Sequence, residues 1–121
     1  MKATILPFNP GTEFFFVEGC HIIELSNLTE DPVVSIARAR VEPGVTTRLH
    51  RLHGVTERYV ILQGEGLVDV GELQARQVRT GDVVIIPPLS PQCIGNTGSG
   101  DLILLAICSP RFTPDCYEDL G

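Results

Sequence analysis

Apolar and polar positions alternate along this chain with a period of two. Between Val33 and Val41 the sequence reads VVSIARARV, which puts Val34, Ile36, Arg38 and Arg40 on one face and Val33, Ser35, Ala37, Ala39 and Val41 on the other. A period of two is the signature of a strand with two unlike faces. Similar short runs occur at Glu13–Val17, His21–Leu25, Thr46–Leu52, Tyr59–Gln63, Leu67–Val70, Asp82–Pro87, Gln92–Asn96 and Leu102–Cys108. Turn-forming residues separate them, among them Asp31-Pro32, Pro43-Gly44, His53-Gly54, Gly64-Glu65-Gly66, Thr80-Gly81-Asp82 and Asn96-Thr97-Gly98. Many short strands with regular turns predict an all-β sandwich or barrel. The only helical expectation is a short segment at Asp115–Leu120, after Pro114.

The 121 residues carry no linker and no low-complexity stretch, so one domain over 1–121 is expected. Hydrophobic residues make up 43% and charged residues 20%, which argues for a packed core and against disorder. The net charge is -6, and an acidic surface repels phosphate backbones, so nucleic acid is not an expected partner. The longest clean apolar run, Leu102–Cys108, is far short of the roughly 20 residues a membrane helix needs. No membrane partner and no signal peptide are expected. The four cysteines form no Cys-x-x-Cys pair and read as free thiols of a reducing cytoplasm.

The chemistry concentrates between Pro43 and Gly66, PGVTTRLHRLHGVTERYVILQGEG. Alternation puts Thr46, Arg48, His50 and Leu52 on one strand face, and Glu57, Tyr59, Ile61 and Gln63 on one face of the next. A hairpin turning at His53-Gly54 would set His50 beside Glu57. Imidazole and carboxylate together are a partial ligand set for zinc, iron, manganese or nickel. Further on, Gly81 precedes an apolar strand that stops at Pro87-Pro88, after which Gln92, Ile94 and Asn96 share a face.

These two stretches resemble the two motifs of the cupin superfamily, the first over 44–64 and the second over 81–96. Gly44, His50, Glu57 and Gly64 fall in register with the first. Leu52 stands at the second histidine position; shifting the register to bring His53 there puts Arg51 at the first. Gly81, Pro87 and Asn96 fit the second motif, whereas Leu89 replaces a glycine and Gln92 replaces a histidine ligand. The resemblance implies an antiparallel jelly-roll β-barrel, the cupin fold, with the site inside. It also implies a homodimer. The Phe14-Phe15-Phe16 run is a candidate interface, or else closes one end of the barrel.

Two functions follow from the resemblance. The first is a metal-dependent enzyme acting on a small molecule, of dioxygenase, isomerase or lyase type. A divalent transition metal (Fe, Mn, Zn or Ni) would be held by His50, Glu57, His53 and Gln92, with Tyr59 and Arg48 acting on the substrate. The second is a metal-free ligand-binding or sensory barrel whose site has decayed. Between them stands a metal-free enzyme that uses His50 with Glu57 or Tyr59 as acid and base. Arg38, Arg40 and Arg48 are either a clamp for an acidic small molecule or surface ion pairs. No nucleophile elbow, phosphate loop or dinucleotide fingerprint is present.

Overall fold

The computed structural model describes every residue from Met1 to Gly121. Eleven strands form: β1 (Phe14–Phe16), β2 (Cys20–Ser26), β3 (Ser35–Val41), β4 (His50–Leu52), β5 (Thr56–Gln63), β6 (Glu65–Val70), β7 (Arg76–Arg79), β8 (Val83–Ile86), β9 (Gln92–Asn96), β10 (Leu102–Ser109) and β11 (Tyr117–Asp119). They build two antiparallel sheets, one in the order β1-β2-β3-β10-β5-β8 and the other β11-β4-β9-β6-β7. The fold is all-β, as the strand pattern predicts, and is the antiparallel jelly roll that the resemblance implies.

Alternation decides which residues fill the barrel. Ala39 and Val41 of β3, Tyr59 and Ile61 of β5, and Leu102 and Leu104 of β10 point inward and meet Val68, Val70 and Ile94 from the other sheet. Arg38 and Arg40 point outward from β3. A second, smaller cluster of Leu52, Val55, Cys108 and Cys116 closes one end. Glycine is required where strands approach closely: a Cβ on Gly66 would stand 2.7 Å from the Gly95 carbonyl oxygen.

Three local expectations are corrected. The segment after Pro114 is a single 3-10 turn (Pro114–Cys116) followed by β11, which pairs with β4, so Asp115–Leu120 is not helical. The Thr46–Leu52 run is a strand only from His50, with Thr46 making an isolated bridge to Gly95. Strand β7 has no counterpart among the alternating runs of the sequence. Its Arg-Gln-Val-Arg sequence buries Val78 alone, too little to stand out as alternation.

Candidate functional site

His50 and Glu57 do not sit side by side on a hairpin. β4 pairs with β9 and β11, whereas β5 pairs with β10 and β8, so the two strands belong to opposite sheets. Both side chains are buried inside the barrel. The turn at His53-Gly54 therefore carries the chain from one sheet to the other, and the two groups enter the interior from opposite sheets.

His50 is fixed from three sides. Its Nδ1 lies 2.7 Å from the Arg48 carbonyl oxygen, its ring stacks on Tyr117 with centroids 5.1 Å apart, and its Nε2 stands 3.5 Å from a carboxylate oxygen of Glu18. Nδ1–H donating to the carbonyl leaves Nε2 as the nitrogen that faces Glu18. Glu18 sits in the turn between β1 and β2. Its backbone carbonyl accepts the Arg48 N–H at 2.7 Å, which ties that turn to the approach to β4. The Glu18 side chain is 14% exposed, and burial pushes its carboxyl up to about 7. Glu57 is raised as well, by burial first and then by the charge of Glu18, while Gln92 and His50 act in the opposite direction. One Glu57 oxygen has the Cys108 thiol at 3.7 Å, and the other has no partner.

Gln92 is fully buried opposite His50 in the β4–β9 pairing. Its carbonyl oxygen accepts the Tyr59 hydroxyl at 2.6 Å. Tyr59, Glu57 and Glu18 line a cavity of about 240 Å³ inside the barrel, whose apolar walls include Phe14, Phe16, Ile22 and Leu104. Burial, and the negative charge of Glu57 and Glu18 beyond it, push the Tyr59 hydroxyl well above its ordinary range, so it stays a protonated donor.

The interior thus gathers His50, Glu57, Tyr59 and Gln92 from the sequence candidates. Two others lie elsewhere. His53 is at the surface, with its side chain 52% exposed and its Nε2 2.5 Å from Glu118. Arg48 points to solvent and pairs with Asp119 at 3.0 Å. Arg40 is held by Glu13 at 2.7 Å and Arg38 by the same carboxylate at 3.7 Å, both on the outer face. None of these arginines reaches the cavity. Glu18 and Tyr117 are the site residues that sequence reasoning missed. An acid beside a glycine in a turn reads as solvent-facing, and only the tie to Arg48 turns it inward.

A divalent metal does not fit this donor set. Transition-metal sites in proteins take three or four side-chain ligands, and no three His, Cys, Asp or Glu side chains converge here. His53 faces outward, Leu52 is packed in the end cluster, and the only acceptor atom of Gln92 is engaged by Tyr59.

The family described as Cupin domain (Cupin_2) matches residues 37–108. The chain is a cupin. It is 38% identical to an uncharacterized protein of Methanocaldococcus jannaschii over 122 aligned residues, covering 99% of this chain and 97% of that one. Among solved structures, KdgF from Halomonas sp. superposes with a TM-score of 0.78 at 15% identity, covering 90% of this cupin and 96% of KdgF. Lactobacillus farciminis oxalate decarboxylase gives 0.77 at 22% identity over 90% of this chain and 33% of its own. The Streptomyces nucleoside dehydratase Pac13 gives 0.77 at 16% identity, over 97% of this chain and 92% of its own. At these identities the likeness is one of fold. No helix of this cupin is long and apolar enough to cross a membrane.

Proposed function

We propose that this cupin binds a small molecule in its barrel cavity and moves a proton on it, using Glu18 and Glu57 and no transition metal. One observation carries the reading: Glu18 and Glu57 both line a mostly apolar cavity, and Glu18 has His50 Nε2 at 3.5 Å. Burial holds both carboxyls near neutral affinity for a proton, the range in which one group gives and takes protons with least bias. His50 Nε2 stands 3.5 Å from the Glu18 carboxyl and gives it a polar neighbour inside the barrel. Tyr59 donates only toward Gln92 and acts as a wall that fixes the floor of the site. The chemistry that suits such a pair is isomerisation or elimination of lyase type, in which the ionised carboxylate removes a proton from the substrate and ends protonated, while the other, protonated carboxyl gives its own proton to a neighbouring atom or to a leaving oxygen and ends ionised. Pac13, a dehydratase, has the same barrel.

The test is a small-molecule screen in D2O with excess chelator, read by NMR for deuterium uptake or loss of water. Conversion that survives chelation and disappears in Glu57→Gln is expected. Conversion that needs added metal would overturn the reading in favour of a metal-dependent enzyme. Binding without any conversion would favour the ligand-binding barrel.

We also propose a cytoplasmic homodimer. All four cysteines are free, and three are buried, which suits a reducing compartment. Phe14 and Phe16 line the cavity, so the phenylalanine run serves the barrel end more than an interface. The apolar surface that supports a dimer is the outer face of β5 and β8, where Leu62, Val83 and Ile85 are exposed. Sedimentation showing a monomer at micromolar protein would remove this claim.

A further inference from the structure

The cavity wall carries three charged side chains, Glu18, Glu24 and Glu57, and every one is acidic. No lysine, arginine or histidine lines it. Arg40 pairs with Glu13 and Asp101, Arg48 with Asp119 and Arg51 with Glu118, while Arg58 donates to the Ser109 hydroxyl and Arg111 donates to the amide oxygen of Asn27 at the cavity wall. Glu24 accepts a hydrogen bond from the Asn27 amide at 2.6 Å. Glu57 is different. It is 8% exposed, one oxygen is buried with no hydrogen bond of good geometry, although the unpaired Gln92 amide nitrogen is near enough to draw its pKa down, and the other has only a thiol at 3.7 Å. A buried acceptor left unpaired is costly, and a carboxylate more so. Glu18 has only the His50 nitrogen at 3.5 Å. The cavity is thus lined by three acids, a few neutral polar groups (Asn27, Ser35, Thr47 and Tyr59) and a majority of apolar side chains, with no cationic side chain among them.

We infer that the cavity takes a small organic amine, its ammonium group held by Glu57 and Glu18 and its apolar body lying against Phe14, Phe16 and Leu104. The inference rests on the cavity being the functional site, as proposed above, and names the class of molecule that enters it. An ammonium supplies N–H donors to the unpartnered oxygen and cancels the mutual repulsion of the two carboxylates. A carboxylate, phosphate or sulfate would meet only like charge. A neutral alcohol would satisfy one oxygen and leave the charges opposed. The volume of about 240 Å³ has room for a molecule of roughly eight heavy atoms, at about 30 Å³ per water-sized group.

Benzylamine, benzyl alcohol and benzoate match one another in size and differ in charge, so they serve as probes. Each is titrated calorimetrically into the full chain at pH 8. Benzylamine is expected to bind at least tenfold more tightly than benzyl alcohol, with no binding of benzoate. Glu57→Gln, and separately Glu18→Gln, should bring the amine down to the level of the alcohol. Ala106→Phe, which fills the cavity, should abolish binding of both. Benzyl alcohol binding as tightly as the amine, or any binding of benzoate, overturns the amine while leaving the cavity as the site. Amine binding that persists in Ala106→Phe is attraction to the acidic surface and overturns it too. Failure of all three probes to bind overturns both this inference and the proposed function. Amine binding together with a screen that shows no conversion leaves the inference standing and removes only the proton-transfer reading.

Discussion

The Tyr59 hydroxyl donates to the Gln92 carbonyl oxygen at 2.6 Å, and both residues are buried in the barrel. The bond joins β5 of one sheet to β9 of the other. Removing either partner strands the other without a substitute in water. Gln92→Leu leaves the hydroxyl without an acceptor and should cost roughly 1–3 kcal/mol, and Tyr59→Phe should cost about 1 kcal/mol. The double variant should cost clearly less than the sum, because the second change removes a group already stranded. Urea denaturation of the four chains measures the coupling. Strict additivity would mean that the bond contributes nothing.

The same bond bears on metal. Gln92 and Leu52 stand where the cupin motifs place histidines, and Leu52 shares the buried face of β4 with His50. Leu52→His with Gln92→His should therefore create a cobalt or zinc site alongside His50 and Glu57. About one metal per chain is expected in the double variant and none in the parent. Elemental mass spectrometry and the visible absorption of Co(II) provide the readout. The parent holding one metal per chain, lost in His50→Ala/Glu57→Ala, would show that the parent's donors suffice.

The strand pattern was legible because alternation is local: Val33–Val41 and Leu102–Cys108 each declare two faces without help from the rest of the chain. The glycines at 44, 64 and 81 marked the turns for the same reason, and each has positive φ. What was not legible depends on contacts distant in sequence. Whether β4 and β5 form a hairpin is decided by which neighbours claim their edges. β9 and β11 claim β4, and β10 and β8 claim β5. Glu18 reads as an ordinary turn acid until its carbonyl is seen to be tied to Arg48. His53 and Arg48 were plausible by spacing, yet Glu118 and Asp119 of β11 hold them outside. The local sequence of β11 reads as helical, so nothing in it foretells those pairings.

Glu18 sets a stability profile opposite to that of most surface acids. Its carboxyl is raised by burial from 4.5 to about 7 in the folded chain. Between those values the folded state holds a proton that the unfolded state has released, so stability is fully present at low pH and declines as pH rises through the window. At 1.36 kcal/mol per unit, the loss is on the order of 3 kcal/mol across pH 4.5 to 7. Glu57 is raised too and acts in the same direction. Glu18→Gln should flatten this limb and raise the melting temperature at pH 8 while changing little at pH 5. Thermal melts from pH 4.5 to 8 test it. A parent chain that becomes more stable over that range would mean that Glu18 is ionised in the fold.

Leu89 occupies a position where the second cupin motif has glycine, and it is the one non-glycine residue with positive φ, at 67°. Its N–H donates to the Leu52 carbonyl at 2.8 Å, which holds the backbone in that region. A left-handed backbone costs a branched side chain roughly 1–2 kcal/mol. Leu89 is 48% exposed, so its side chain recovers only part of that by burial. Asn tolerates the left-handed region and does not carry glycine's extra freedom in the unfolded chain. Leu89→Asn should therefore stabilise the chain by about 0.5–1 kcal/mol, with Leu89→Gly falling between it and the parent. Leu89→Val brings branching to Cβ, where the clash occurs, and should destabilise by about 1 kcal/mol or more. Urea midpoints should rank Asn first, then Gly, Leu and Val. A valine chain as stable as the parent would show that Leu89 sits there without strain, held by its bond to Leu52 alone.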